Sequence, residues 1–149
     1  MRRFSSREGA YRIKKPVWAC LTCGWFTQEG ETRDCMECHL PCEHFDSEGE
    51  YFEYKRLQLL EKCGEISELQ RQVRYDIHGM NVHTQKLVQI FFYRADFQYK
   101  DKHGNLVVRD YKPTVKKTAK DPKGERHLSP EFVLKRRAMK LIHDIEVIT

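Results

Sequence analysis

The fold prediction starts from residues 93–112, YRADFQYKDKHGNLVVRDYK. Two segments rich in aromatic and β-branched residues flank a polar, glycine-containing stretch, the pattern of two antiparallel strands joined by a turn. Asp96 lies on the first strand. Asp110 and Lys112 lie near the end of the second, and residues two apart on a strand project from the same face. Carboxylates are hard oxygen ligands for divalent cations, and a nearby lysine can orient water or stabilise developing charge, so we predict a Mg²⁺ or Mn²⁺ site here.

Two helices and two further strands are predicted around this hairpin. A helix over residues 46–64 begins with Ser47 as the N-cap and Glu50 three residues later, the spacing of a capping box. A second helix begins after Ser129, with Pro130 in its first turn, and ends near His143. The strands are expected at residues 72–78, 87–99, 106–112 and 145–149. The last strand is reached through a helix, so it can pair in parallel with an inner strand.

Helical periodicity also predicts which side chains are buried. On the first helix the expected apolar face is Phe52, Leu59, Leu60 and Cys63. On the second helix it is Leu134, Ala138 and Leu141.

Residues 17–45 contain two C-x-x-C pairs, Cys20 with Cys23 and Cys35 with Cys38. Four thiolates at this spacing suit tetrahedral zinc, and the segment is too short to fold on an apolar core alone. We therefore predict a structural zinc ribbon, with no open position for catalysis. His39, Cys42 and His44 follow closely, and the spacing leaves open whether one of them replaces a cysteine.

The composition is consistent with a polyanionic partner. The chain has 149 residues and a formal net charge of +5, with a basic arm over residues 1–16. The sequence has no apolar run of about 20 residues, which a membrane helix needs, so we expect no membrane partner. It has no secretory signal either, and its paired cysteines suit metal in a reducing compartment, so we expect a cytoplasmic protein.

The order of elements after the zinc segment resembles the core of the PD-(D/E)XK nuclease superfamily. The resemblance is closest to a small phage-type endonuclease family, whose members would be cytoplasmic in a bacterial host. It depends on FDSEGEYFEYKRLQLLEKCGEISELQRQ (45–72), YRADFQY (93–99), VVRDYK (107–112), SPEFVLKRRAMK (129–140) and IEV (145–147). It implies an α/β restriction-endonuclease-like domain over residues 46–149: a helix, three mainly antiparallel strands, a helix and a strand.

The resemblance also implies roles for individual residues. Asp96 and Asp110 match the metal-binding acids and Lys112 the motif lysine. Glu50 matches an acid that completes the metal site, although its position fits a helix cap equally well. Lys135 falls where the family has a basic residue near the cleaved phosphate. Arg136 of the same basic helix, and Lys116 and Lys117 of the basic loop that follows the motif, are the further predicted DNA contacts, although such runs can also be simply solvated. Arg109 and Pro113 depart from the family pattern, which often has an acid and a glycine at these positions.

We therefore predict a Mg²⁺- or Mn²⁺-dependent DNA endonuclease with a structural zinc ribbon. By analogy with the superfamily, its expected substrate is a Holliday junction or other branched DNA in recombination or DNA processing. Symmetric cutting of a junction would need a homodimer. The alternative is a non-catalytic zinc-ribbon protein that binds nucleic acid and does not need Asp96, Asp110 and Lys112 together.

Overall fold

The computed structural model describes residues 15–28, 33–112 and 128–149. These residues form two compact units, one extending to Tyr51 and the other beginning at Phe52. Most of the basic arm and the whole 113–127 segment lie outside the described residues, and with them Lys116 and Lys117. Within the described residues, no helix is both long and apolar enough to cross a membrane.

The first unit contains a small antiparallel sheet. Its strands are β1 (Val17–Ala19), β2 (Phe26–Thr27) and β3 (Glu43–Phe45), in the order β2-β1-β3. Val17, Ala19 and Phe45 are fully buried, and the Tyr51 ring lies 5.3 Å from the rings of both Phe26 and Phe45. This apolar core is small, so the unit depends on a further source of stability.

The second unit is a four-stranded sheet with two helices in the sequence around it. Helix α1 (Glu48–Lys62) begins in the first unit and continues into the second. It is followed by strands β4 (Ile66–Met80), β5 (Leu87–Asp101) and β6 (Leu106–Arg109), helix α2 (Pro130–His143) and strand β7 (Val147–Ile148). The sheet order is β4-β5-β6-β7. The first three strands are antiparallel, and β7 is parallel to β6 as predicted.

Local signals predicted the helix starts correctly. The Ser47 hydroxyl accepts a hydrogen bond from the Glu50 amide at 3.2 Å, and the Ser129 hydroxyl accepts one from the Phe132 amide at 3.2 Å. Each bond satisfies an amide that has no partner within its own helix. The mixed α/β character of the chain is therefore confirmed.

Strand lengths differ from the prediction. β4 begins at Ile66 rather than at residue 72, because its polar first half pairs with the far end of β5, from Ile66 opposite Asp101 to Gln70 opposite Gln98. It is an edge strand, so polar side chains can alternate there without an apolar signal. β6 ends at Arg109, which leaves Asp110 and Lys112 just beyond the strand.

The prediction of which α1 side chains are buried is largely wrong. Phe52 and Leu59 are 51% and 61% exposed, and Cys63 is exposed rather than buried. Leu57 is fully buried instead, in a cluster with Ile66, Phe97 and Tyr99, against which Tyr54 and Leu60 also pack.

The prediction for α2 fails in the same way. Leu134 and Leu141 are 61% and 85% exposed, whereas Phe132 and Met139 are buried. Ala138 does pack against their cluster, as predicted. Both pairs are seven residues apart, so helical periodicity fits either one equally well. The choice between them depends on which side of the helix faces the sheet.

Because Leu57 is buried and Leu59 is exposed on the same helix, their substitution should change the free energy of unfolding by very different amounts. Leu57→Ala should destabilise the second unit by about 2–5 kcal/mol, because it opens a cavity in a packed cluster. Leu59→Ala, the matched exposed control, should change stability by less than about 0.5 kcal/mol. Urea unfolding of the zinc-loaded protein, followed by circular dichroism, measures both free energies. Equal losses would contradict the assigned helix face.

Candidate metal sites

The two C-x-x-C pairs form equivalent turns in the first unit. Gly24 and His39, which follow the second cysteine of each pair, have left-handed φ angles of 82° and 58°. The Gly24 amide donates to the Cys20 carbonyl at 3.0 Å, and the His39 amide donates to the Cys35 carbonyl at 2.9 Å. Each turn therefore directs its two thiols to the same side.

The turns bring all four sulfur atoms together. The Cys20–Cys38 and Cys23–Cys35 Sγ distances are both 3.4 Å, and the Cys23–Cys38 distance is 3.7 Å. Tetrahedral zinc with Zn–S bonds near 2.3 Å requires sulfurs about 3.8 Å apart. Across residues 15–28, 33–112 and 128–149, this is the one group of three or more His, Cys, Asp or Glu side chains gathered closely enough for a metal ion. The cluster can hold zinc.

Without a metal, the four thiols of the cluster differ in pKa, so some form thiolates more readily than others. The pKa of Cys20 is lowered to about 6, chiefly because the Cys23 amide donates a hydrogen bond to its sulfur. Desolvation acts in the opposite direction but is the smaller effect. The Leu40 amide acts to lower the pKa of Cys38, but desolvation and the neighbouring sulfurs raise it to about 12. A divalent cation would relieve this crowding by replacing protons at all four sulfurs.

The three alternative ligands, His39, Cys42 and His44, lie outside the four-sulfur group. His39 serves as the left-handed residue of its turn. The His44 ring lies edge-on to Trp18, with centroids 5.1 Å apart. The Cys42 amide donates to the Arg33 carbonyl at 2.7 Å, and its thiol is outside the four-sulfur group. The four C-x-x-C cysteines are thus the group that could hold zinc, and the structure does not bring His39, Cys42 or His44 into it.

The second candidate site lies where β5 and β6 pair. Phe97 is opposite Arg109, and extending this antiparallel register by one residue puts Asp96 opposite Asp110, on the same face of the sheet. Asp110 is only 5% exposed, and its Oδ2 contacts the Lys112 ammonium. Asp96 Oδ2 accepts a hydrogen bond from the Tyr111 amide at 2.7 Å. Two carboxylates and a lysine therefore converge in the second unit.

Lys112 is held in place from two directions. Besides Asp110, its Nζ lies 4.4 Å from the centre of the Phe132 ring on α2. Arg109 stands where the PD-(D/E)XK family often has an acid. Its Nη1 atom lies 3.2 Å from Oε1 of Glu53 on α1. Glu53 also binds Arg56 at 2.7 Å, and the bond from Arg56 is the main reason that the pKa of Glu53 is lowered.

The hydroxyl of Tyr93, a buried residue of β5, adds a polar group near the acids. The hydroxyl oxygen is buried and has no hydrogen-bond partner among the described residues. Burial, followed by the charges of Asp110 and Asp96, raises the pKa of Tyr93, so the phenol remains protonated. The sequence pattern gave no signal for this proximity, because Tyr93 and Asp96 are three residues apart and such residues project from opposite faces of a strand.

The other predicted site residues have simpler surroundings. Glu50 is 2% exposed and lies in the first unit, where its Oε2 accepts the Asp46 amide at 3.1 Å. This contact fits the helix-cap interpretation, and the metal role of Glu50 stays a prediction. Lys135 on α2 is paired with Glu131 at 2.5 Å, and Arg136 is partly buried. Their phosphate contacts also stay predictions.

Comparison with known protein families gives one match, to a family described as "Protein of unknown function (DUF1064)", over residues 37–125. The chain belongs to the DUF1064 family. The DUF1064 match includes Glu50, Asp96, Asp110 and Lys112, but it begins after the first three zinc-cluster cysteines. No curated protein and no solved structure matches the chain.

The zinc cluster predicts different effects for two cysteines of this DUF1064 protein. Cys35→Ser should reduce bound zinc from one atom per chain to almost none and unfold the first unit, because the metal supplies its missing stability. Cys42→Ser is the control and should keep the zinc. Elemental analysis of purified protein gives the metal content. Retention of zinc by Cys35→Ser, or its loss only from Cys42→Ser, would contradict the ligand set.

Zinc affinity should also fall as the solution becomes more acidic. At neutral pH the high pKa of Cys38 keeps that thiol protonated, so zinc binding must release its proton. The apparent affinity should increase by about tenfold per pH unit for each proton displaced. Competition with a coloured chelator between about pH 6 and pH 8 measures the slope. An affinity that does not change with pH would argue against thiol ligands.

Proposed function

We propose that this DUF1064 protein is a divalent-metal-dependent DNA endonuclease that hydrolyses phosphodiester bonds, with a nuclease domain of the PD-(D/E)XK type. The observation that carries the proposal is the contact of the buried Asp110 with Lys112, next to Asp96, whose carboxylate accepts a hydrogen bond from the Tyr111 amide. Two acids and a lysine are the residue types that metal-dependent hydrolysis of a phosphodiester uses.

The chain order of elements also supports this proposal. α1 is followed by the antiparallel strands β4, β5 and β6, then by α2, and β7 joins the sheet parallel to β6. This is the arrangement expected from the family resemblance. Because one fold hosts many functions, the order supports a type of core and leaves the chemistry to the side chains.

Two carboxylates suit Mg²⁺ or Mn²⁺. Mg²⁺ in proteins is bound by one or two carboxylates, with water and substrate phosphate completing its shell. Asp96 and Asp110 would hold the cation, and Glu50 is the proposed additional ligand. When bound, such a metal lowers the pKa of water and neutralises charge on phosphate.

Lys112 would act on the substrate directly. Its ammonium neutralises Asp110 in the structure described here, and it could exchange that carboxylate for a phosphate oxygen or an attacking water. The Phe132 ring would keep the ammonium in place by a cation–π contact during this exchange. Tyr93, protonated and buried, would be a neutral hydrogen-bond donor for the carboxylates.

The DNA contacts in this proposal are the four basic residues predicted from the sequence, Lys116, Lys117, Lys135 and Arg136, together with the zinc ribbon and basic arm. Lys135 would reach a phosphate by leaving Glu131. Branched DNA, and a Holliday junction in particular, is the proposed substrate by analogy with the superfamily. Phosphate contacts make binding weaker as salt rises.

A second candidate function is favoured by the cysteine cluster, the one group among the described residues gathered closely enough for a metal ion. In this alternative the protein is a non-catalytic zinc-ribbon module that binds nucleic acid. Its net charge of +5 would serve binding, and Asp96, Asp110 and Lys112 would form a structural ion-pair network.

The nuclease proposal predicts loss of cutting without loss of binding. Asp110→Asn keeps the size of the side chain but removes its charge, so cleavage should fall by at least about 100-fold, the range of effects seen on removing one catalytic group. Asp76→Asn on β4, outside the site, is the matched control and should cut normally. The assay uses labelled four-way junction, flap, linear duplex and single-stranded DNA with Mg²⁺, Mn²⁺ or EDTA.

The outcomes separate the candidates. Metal-dependent cutting that is confined to branched DNA supports both the nuclease and its substrate. Equal cutting of every duplex keeps the nuclease and refutes the preference for junctions. Tight DNA binding without any cutting by the wild type supports the zinc-ribbon binding module instead.

A further inference from the structure

One edge of strand β5 lacks a neighbouring strand over most of its length. β5 covers Leu87–Asp101, and β6 pairs only with Phe97 to Lys100. In the part of the chain that the structure describes, the preceding residues of β5 pair with β4 alone. Such an edge presents unpaired N–H and C=O groups to any extended chain that can reach it.

The residues along this edge are apolar and exposed. The segment 87–93, LVQIFFY, contains no charged residue, although edge strands are commonly protected by charges. Leu87 is 66% exposed, Ile90 63% and Phe92 46%. Met80, paired with Leu87 across the hairpin, is also exposed, so apolar side chains are exposed on both faces of the sheet beside this edge.

The edge residues are held firmly from the β4 side. Val88, Ile90 and Phe92 alternate along the strand and therefore share one face. The Ile90 side chain covers Gly79, where a Cβ would collide with it, and the Arg74 guanidinium lies 4.4 Å from the centre of the Phe92 ring. The apolar face is thus ordered before any partner arrives.

An open cleft follows the same edge. It has a volume of about 470 Å³ and is lined by residues 89–92 of β5 and by Glu131 and Lys135 of α2. Side chains alternate between faces, so four consecutive strand residues share only their backbone edge. Glu131 and Lys135 are paired at 2.5 Å, so these two charges cancel. With this ion pair intact, the cleft along the strand edge suits an extended polypeptide.

We propose that a second copy of this chain docks on this edge, with β5 of each copy pairing antiparallel about a two-fold axis. A two-fold axis perpendicular to the sheet keeps the Val88, Ile90 and Phe92 faces of both copies on one side, so the apolar surface is self-complementary. Edge-to-edge pairing would satisfy the open backbone groups of both β5 strands and pack their apolar side chains as cross-strand neighbours. The two sheets would form one continuous sheet.

This interface does not depend on the nuclease proposal. If both hold, the two-fold axis gives the assembly two copies of the Asp96–Asp110 pair, as cutting both strands of a symmetric junction requires. The dimer can be measured without DNA and without Mg²⁺ or Mn²⁺, so its failure and the failure of the nuclease proposal are distinguishable.

The test is the mass of the zinc-loaded full chain in sedimentation velocity. The wild type should have twice the chain mass of 17.9 kDa. Ile90→Lys puts an unpaired charge in the interface and should weaken self-association by at least about tenfold. Leu59→Lys on α1 is the matched control, because Leu59 is 61% exposed and Ile90 63%, and it should leave the dimer intact.

Hydrogen exchange identifies the surface. Amides between residues 87 and 96 should exchange slowly in the wild type and faster in Ile90→Lys, with unchanged protection of α2. If Ile90→Lys fails to fold by circular dichroism, Val88→Lys replaces it. A monomeric wild type at its highest soluble concentration overturns the proposal, and so does a dimer that folded edge variants leave unchanged.

Discussion

The pairing of β5 with β6 is the constraint on which the second unit depends. It joins the hydrophobic clusters to the polar site, because Phe97 and Ala95 are buried beside Asp96, while Val108 is buried beside Asp110. The register therefore couples core packing to the position of the acids. A slip of one residue would turn every side chain of one strand to the other face and separate the carboxylates.

The first unit is stabilised in a different way. Its sheet has strands of only two or three residues, and its core is formed by a few side chains around Phe45 and Tyr51. Four sulfurs within 4.8 Å of one another replace the missing core when they share a metal ion. This unit can thus tolerate polar sequence between its turns, whereas the second unit needs a long apolar sheet.

The polar groups of the second unit show how a site can be built without losing stability. Asp110 is buried but in contact with Lys112, and Glu53 is shared by Arg56 and Arg109. Each buried charge thus has an opposite charge beside it, which offsets the free energy of removing it from water. The Tyr93 hydroxyl and Nε of Arg109 are nevertheless buried without a hydrogen-bond partner among the described residues. Groups left in this state are candidates for function rather than for stability.

Short-range features could be predicted from the sequence. The C-x-x-C turns, the caps at Ser47 and Ser129, the turn between β5 and β6 and the parallel return of β7 depend on a few neighbouring residues or on chain order, and they appear as predicted. Asp110 and Lys112 were predicted to lie on one face, and they do contact each other, although both lie just beyond the end of β6. The DUF1064 match adds membership of a family and leaves its chemistry to experiment.

Only the tertiary structure decided the features in which distant segments compete for the same surface. Periodicity could not choose between Leu57 and Leu59, or between Met139 and Leu141, because both members of each pair fit a helical stripe. The polar half of β4 became a strand because β5 offered it a partner, and the buried phenol of Tyr93 acquired acidic neighbours through pairing between strands. The sequence by itself therefore determined the local elements and the C-x-x-C turns. Long-range packing determined which of their faces are buried and which segments pair as strands.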